Sequence, residues 1–416
     1  MLRELPAELA CHGEIVPLGL ESRSTVRIEA NPTPSVLVWA RTSSGFSLEE
    51  AAKKIGVPGT RLEEWEAGRQ KPTFAQLRKA AVAYRRPLAT FYLQEPPRAF
   101  QPMHDFRRHP DGDTSFVSPA LTSEIRRGYD RREWALELIG QLDEQPKVIP
   151  LRLRLDQEVE QAASLVRELL GITVGVQSQW RDQAFKEWRA RIEGAGVLTF
   201  EMTSIPVEEA RGFSIGVTPL PVAVANIKDS PRARVFTLLH EMVHILLESG
   251  GICNLDERGR DESAESETFC NQVAGATIFP RDGVLGSDVV RRHAKGQAEW
   301  TDQELRSLSF QFGGSREAAL VRLASLGLTS KRFCDSRREQ FRQEYRRFEA
   351  DRKAQKDGGF VPPHQLALLS AGPMFVGLVV ENFNRERITV SDFSDYLQIR
   401  ARHITEVQQD YAGFGG

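Results

Sequence analysis

The chain has 416 residues, 40% of them hydrophobic and 27% charged, with a formal net charge of −2. This length allows two or three domains with ample core, and the near-neutral balance argues against a polycation spread along nucleic acid. Cys11, Cys253, Cys270 and Cys334 are scattered with no C-x-x-C, which argues against a disulfide framework and fits a cytoplasmic location.

In chain order, residues 1–30 carry Glu4, Glu8, Glu14 and Glu21 and no long apolar run. They are expected to be a flexible leader rather than a signal peptide. No stretch of about 18 apolar residues follows anywhere, so no membrane span is expected.

Residues 31–95 form the first expected domain. Residues 36–41 read as a helix. Ser47 caps a second one at 48–55, with Glu50 completing a capping box. Gly56 ends it, and Val57, Pro58 and Gly59 make the turn. Residues 60–67 are a short third helix that points Leu62 and Trp65 inward, and 73–84 are a fourth. Two short helices joined by a Gly turn are a helix-turn-helix. The string Leu48-Glu49-Glu50-Ala51-Ala52-Lys53-Lys54-Ile55-Gly56-Val57, followed by Trp65-Glu66-Ala67-Gly68-Arg69-Gln70-Lys71-Pro72, resembles the Cro/C1-type (XRE) DNA-binding domains.

Residues 31–94 hold ten Lys or Arg against five Glu, a surplus that suits a phosphate-facing surface. A recognition helix reads bases through its first residues, here Gly59, Thr60 and Arg61. Glu64 lies beside them, and Arg69 and Lys71 are placed to grip the DNA backbone. Glu63 and Glu64 stand where Gln, Ser or Arg is usual. A Glu can accept from cytosine N4, but two carboxylates near phosphates repel. Docking onto a protein partner is the alternative use.

Residues 96–120, rich in Pro and Gly and containing Asp105-Phe106-Arg107-Arg108, read as a linker. Helices are expected at 121–142, 151–170 and 176–194, then short strands at 197–200, 212–217 and 222–226. Helices, a small sheet and two further helices make residues 121–300 an α+β domain. The edge of such a sheet could bind a substrate strand.

The run 232–247 carries the strongest chemical signal. It is apolar and free of Gly and Pro, so it reads as a buried helix. Into it intrude His240, Glu241 and His244, as H-E-x-x-H. Positions i and i+4 share a helix face, so two imidazoles can address one metal ion. Glu241 is placed to take a proton from a water there. Burying three such groups is costly unless they are used. A third protein ligand is needed. Past a polar loop at 256–262, the helix 263–278 offers Glu265 and Glu267 about 200° apart, so both cannot serve. Cys270 is a soft rival, although a small buried residue is its more ordinary role.

The segment Phe236-Thr237-Leu238-Leu239-His240-Glu241-Met242-Val243-His244-Ile245-Leu246-Leu247 resembles the active-site helix of the ImmA/IrrE metallopeptidases. Their third ligand is a Glu opening a pattern E-x-x-A-N-x-F-A that runs on to a Pro. Glu267-Thr268-Phe269-Cys270-Asn271-Gln272-Val273-Ala274 and Pro280 match it, with Cys270 at the usual Ala and Val273 at the usual Phe. Residues 196–200 and 222–226 and Arg234 also resemble that family.

The resemblance implies a zincin-like metallopeptidase domain. It assigns His240, His244 and Glu267 to a Zn2+ ion, with Mn2+ or Fe2+ as alternatives, and makes Glu241 the general base. It also implies a narrow protein substrate, typically a helix-turn-helix repressor or an antitoxin cut during stress. Opposed to this stand a DNA-binding transcriptional regulator whose peptidase domain only senses or docks, and a toxin–antitoxin component.

Beyond it, residues 301–357 read as a helical, helix-turn-helix-like region. Residues 358–416 read as a C-terminal helical region behind a Gly-Pro linker, with a helical pair at 373–383 and 390–408. The whole is expected to be mainly α (α+β). Nothing in the sequence sets the oligomeric state.

Overall fold

The structure is a computed structural model and describes residues 29–97, 118–247, 260–293, 298–354 and 361–414. The leader up to residue 28, the linker at 98–117, most of the polar loop after the H-E-x-x-H helix, residues 358–360, Cys11 and Cys253 lie outside the described residues. Two compact units emerge. The first holds residues 29–42 and 47–97, and the second holds 43–46 with the described residues from 118 onward.

The first unit contains α1 (Pro34–Thr42), α2 (Leu48–Ile55), α3 (Gly59–Glu66) and α4 (Phe74–Tyr84), then a 3-10 turn at Leu88–Tyr92. Its local signals act as read. Ser47 with Glu50 and Thr73 with Gln76 each form a capping box. Gly56 ends α2 at φ 80°, in the left-handed region that glycine adopts without strain. Leu37, Ile55, Leu62, Trp65, Tyr84 and Phe91 are buried in the core. Glu66 turns inward. The Arg41 guanidinium forks onto its carboxylate at 2.8 and 2.9 Å, tying α1 to α3.

The second unit continues with α5 (Pro119–Gln141), α6 (Val159–Leu169), α7 (Val174–Gln177), α8 (Ala184–Gly194), α9 (Pro231–Leu246), α10 (Arg260–Ile278), α11 (Arg281–Gly286) and α12 (Asp288–Arg292). It ends with α13 (Asp302–Phe312), α14 (Arg316–Ser325), α15 (Lys331–Ala354), α16 (Pro363–Ala371), α17 (Pro373–Asn384), α18 (Val390–Leu397) and α19 (Ile404–Phe414).

Between α8 and α9 run β1 (Leu198–Met202), β2 (Gly212–Ile215) and β3 (Val222–Asn226). The sheet order is β1-β3-β2, with β1 parallel and β2 antiparallel to β3. Every residue of β1 and β3 is buried, because helices cover both faces. On one face Ala223 and Ala225 meet α6, α8, α9, α10, α13 and α14. On the other, Phe200, Phe213, Val222 and Val224 meet α5 and α16–α19. The two cores therefore run across residues 301 and 358: the helices beyond them complete the packing on both faces of the sheet.

The fold class is the expected one, mainly helical with a small mixed sheet and a separable helical bundle at the N-terminus. Three expected helices differ from the structure. Residues 151–155 are not helical: Leu151, Leu153 and Leu155 alternate, and the Leu153 amide bonds Leu246 O at 2.8 Å alongside the end of α9. The run 176–194 breaks where Trp180 turns in to pack edge-on against Trp188. The run 390–408 breaks at Gln398, which is left-handed at φ 56°.

Among the described residues no single helix is long and apolar enough to cross a membrane. The pair α16–α17, bent by 113°, buries Leu368, Phe375, Val376 and Val379 in the second core.

Candidate metal centre

Ser230 caps α9 by accepting from the Ala233 amide, and Pro231 occupies the first turn. Val235, Leu238, Leu239, Met242 and Val243 sink into the first core, which holds the helix in one rotation. In that rotation His240, Glu241 and His244 are 0%, 3% and 7% exposed. The two histidines, one turn apart, bring their Nε2 atoms to 3.0 Å. Phe236, one turn earlier, stacks on His240 at 6.3 Å.

The third group comes from α10, the helix that contacts α9 most extensively. Glu267 places Oε1 at 3.0 Å from His244 Nε2 and Oε2 at 3.4 Å from His240 Nε2. All donor atoms of this trio lie within 4.8 Å of one another, an arrangement able to hold a metal ion. Burial alone would push the Glu267 carboxyl up. Hydrogen bonds to His240 and His244 outweigh it and hold the group well below the usual carboxylate range.

The far end of α10 is fixed by side chains that satisfy its last carbonyls. Arg167 donates to Thr277 O at 2.7 Å, Gln177 to Ile278 O at 2.8 Å and Arg322 to Phe279 O at 2.8 Å. These donors lock the helix that carries Glu267.

Glu265 is exposed and stands outside the trio. Cys270 is wholly buried and also outside it. Burial pushes its thiol up, with the His244 hydrogen bond acting against that shift. Glu267→Ala is therefore expected to weaken metal binding by more than about 100-fold, beyond what loss of a supporting partner costs. Glu265→Ala and Cys270→Ala should leave binding nearly intact in a calorimetric Zn2+ titration. Metal loss in Cys270→Ala alone would make the thiolate the third ligand.

Glu241 faces the sheet. A Cβ on Gly212 would collide with Thr237 Cγ2 and Val224 O and would lie 3.2 Å from Glu241 Oε1. Glycine at 212 thus lets β2 close onto α9 beside Glu241. The sequence reading missed this residue, although a lone Gly at the head of a strand signals close approach. Arg234, on the same side of α9, pairs with Glu201 of β1 and lies 4.3 Å over Phe185. It ties the helix to the sheet.

Among the described residues no strand pairs with the outer edge of β2. The Asn226 amide bonds Arg211 O at 2.8 Å. With Gly212 opposite Ala225 and Ser214 opposite Ala223, the alternation of an antiparallel ladder points the amides of Gly212 and Ser214 away from β3. At the opposite edge, Arg189 bonds Thr199 O at 2.9 Å.

In the first unit, Thr60, Arg61, Arg69 and Lys71 are exposed, while Gly59 and Glu64 are half-buried. Thr60 and Arg61 belong to the first turn of α3, and Arg69 and Lys71 follow its end. Of the five Glu in this region, Glu50 serves the capping box and Glu66 the Arg41 fork. That leaves Glu49 and Glu63 exposed and Glu64 half-buried.

These features define a peptidase-type domain carrying a His/His/Glu cluster, in one chain with a helix-turn-helix module. A family model for the IrrE N-terminal-like domain, a peptidase family, matches residues 196–324, and one for a helix-turn-helix matches residues 37–91. The pairing is consistent with the ImmA/IrrE family carrying an N-terminal helix-turn-helix fusion. No curated protein matches the chain.

Proposed function

We propose that this chain is a zinc-dependent endopeptidase of the cytoplasm that cleaves a regulatory protein, such as a helix-turn-helix repressor or an antitoxin. The observation that carries the reading is the convergence of His240, His244 and Glu267 within 4.8 Å, with the carboxylate of Glu241 buried beside them. Two imidazoles and one carboxylate suit zinc, and Mn2+ or Fe2+ would also accept the set.

A metal ion there would supply Lewis-acid polarisation of a peptide carbonyl and a water acidified toward neutrality. Glu241 takes the proton of the attacking water and delivers it to the leaving amine. The outer edge of β2, where Gly212 is buried and Ser214 half-buried, would offer main-chain hydrogen bonds to an extended substrate segment, beside Glu241. The reading is tested by incubating proteins that co-purify with the full chain and comparing wild type with Glu241→Gln for their cleavage.

The helix-turn-helix module is read as a DNA-binding or partner-docking unit. The exposed Thr60 and Arg61, with Arg69 and Lys71, favour DNA. In the full chain, Arg61→Ala or Arg69→Ala should weaken duplex binding and lower the salt slope by about one if each touches a phosphate. Absence of salt-sensitive binding to any duplex would leave partner docking. Deleting the module should then impair cleavage of the folded partner while a short peptide is still cut.

A further inference from the structure

Outside the first centre, two His–carboxylate pairs lie side by side between α16 and α19. His364 lies in the first turn of α16, and His403 immediately precedes α19, which carries Glu406 and Asp410. His364 Nε2 stands 3.5 Å from Asp410 Oδ2, and His403 Nδ1 stands 3.8 Å from Glu406 Oε1. The two ring centroids are 6.1 Å apart. Among the described residues, His364 Nδ1, His403 Nδ1, Glu406 Oε2 and Asp410 Oδ2 are shielded from solvent without a hydrogen-bond partner. Each shielded, unsatisfied group carries an uncompensated desolvation cost, and a bound ion is one arrangement that would satisfy such groups.

The spacings separate an ion pair from a shared metal. A charge-assisted N–H···O contact closes to about 2.7–2.9 Å, well short of the 3.5 and 3.8 Å observed. Two ligands each about 2.0–2.2 Å from one metal, at tetrahedral to trigonal angles, stand about 3.3–3.8 Å apart. Each His–carboxylate pair matches that separation, while the two pairs stand too far apart for any three of the four donors to lie within 4.8 Å of one another before loading.

We propose a second divalent-metal site here, with His364, His403, Glu406 and Asp410 as ligands. Two nitrogens with carboxylate oxygens select a zinc-type ion over Ca2+ or Mg2+, which prefer all-oxygen shells. The group is more open than the first centre, the one whose donors already lie within 4.8 Å, so loading draws the rings together by side-chain rotation. Arg402 Nε now donates to His403 Nε2 at 3.2 Å. Ligation through Nδ1 places the ring proton on Nε2, and the exposed Arg402 turns to water. The ion staples α19, the last helix, to α16, part of the layer that covers the sheet.

The full chain is titrated with Zn2+ by calorimetry and with Co2+ by its visible absorption. Wild type is expected to take two equivalents. His403→Ala should lose one and His244→Ala the other. Glu406→Gln, a near-isosteric change at a half-exposed position, should weaken the second equivalent by more than about 100-fold, guarding against a folding failure in the histidine variant. A single wild-type equivalent, abolished in His244→Ala, overturns the second site and leaves the peptidase centre standing. A second equivalent that survives both His403→Ala and Glu406→Gln overturns it as well. A wild-type equivalent lost in His403→Ala but unaffected by His244→Ala supports this site while removing the peptidase centre.

Discussion

Glu241→Gln is expected to lower peptide hydrolysis by about 10²–10⁴-fold, the range for losing a positioned general base, while metal content stays at the wild-type level. Both halves follow from the geometry. The carboxylate is not one of the three converging donors, so an amide in its place leaves them untouched. The amide also nearly reproduces the shape of the carboxylate against Gly212, where the space beside Oε1 is tight. What is lost is the acceptor for the water's proton. Cleavage of a co-purified protein and elemental analysis should be read on the same preparation. Activity within a few-fold of wild type would remove Glu241 from the chemistry. His244→Ala should lose metal and activity together, which separates the two roles.

The H-E-x-x-H pair was legible because its spacing is a property of one helix. His240 and His244 share a face whatever the helix packs against, and the apolar residues around them fix which face is buried. Glu267 was not legible in the same way. It lies on another helix beyond a polar loop, so the residues alone left Glu265 and Cys270 open, and only the resemblance chose. The structure brings Glu267 to both imidazoles and leaves Glu265 exposed.

Other features depend on tertiary contacts that a local pattern does not carry. Leu151 to Leu155 run extended, with Leu153 hydrogen-bonded to the end of α9. Gly212 matters through a neighbour from α9 rather than through its own strand. The role of the C-terminal helices was hidden for the same reason. Their apolar stripes announce burial but not the surface they cover, which is the second face of the sheet.

That covering layer makes Gly372 the position where a single methyl group should do the most structural damage. Gly372 joins α16 to α17 at φ 80° and ψ 148°, a conformation that strains any L residue. An added Cβ would collide with Thr199 O and stand 2.6 Å from Arg189 Nη2 and 3.1 Å from Glu193 Oε1. Those atoms form a buried network. Arg189 donates to Thr199 Oγ1 at 2.7 Å and to Leu369 O at 3.2 Å, and the Met374 amide donates to Glu193 Oε2 at 3.0 Å. Burial pushes the Glu193 carboxyl up, while Arg189, Thr199 and the Met374 amide act against that shift, and the methyl would displace those partners. Backbone strain of about 1–3 kcal/mol adds to disruption of a buried charged network worth about 3–5 kcal/mol when broken. Against a typical total of about 5–15 kcal/mol, Gly372→Ala should shift the urea midpoint of the second unit far downward. A midpoint equal to wild type would show that the layer bends around the corner instead of resting on it.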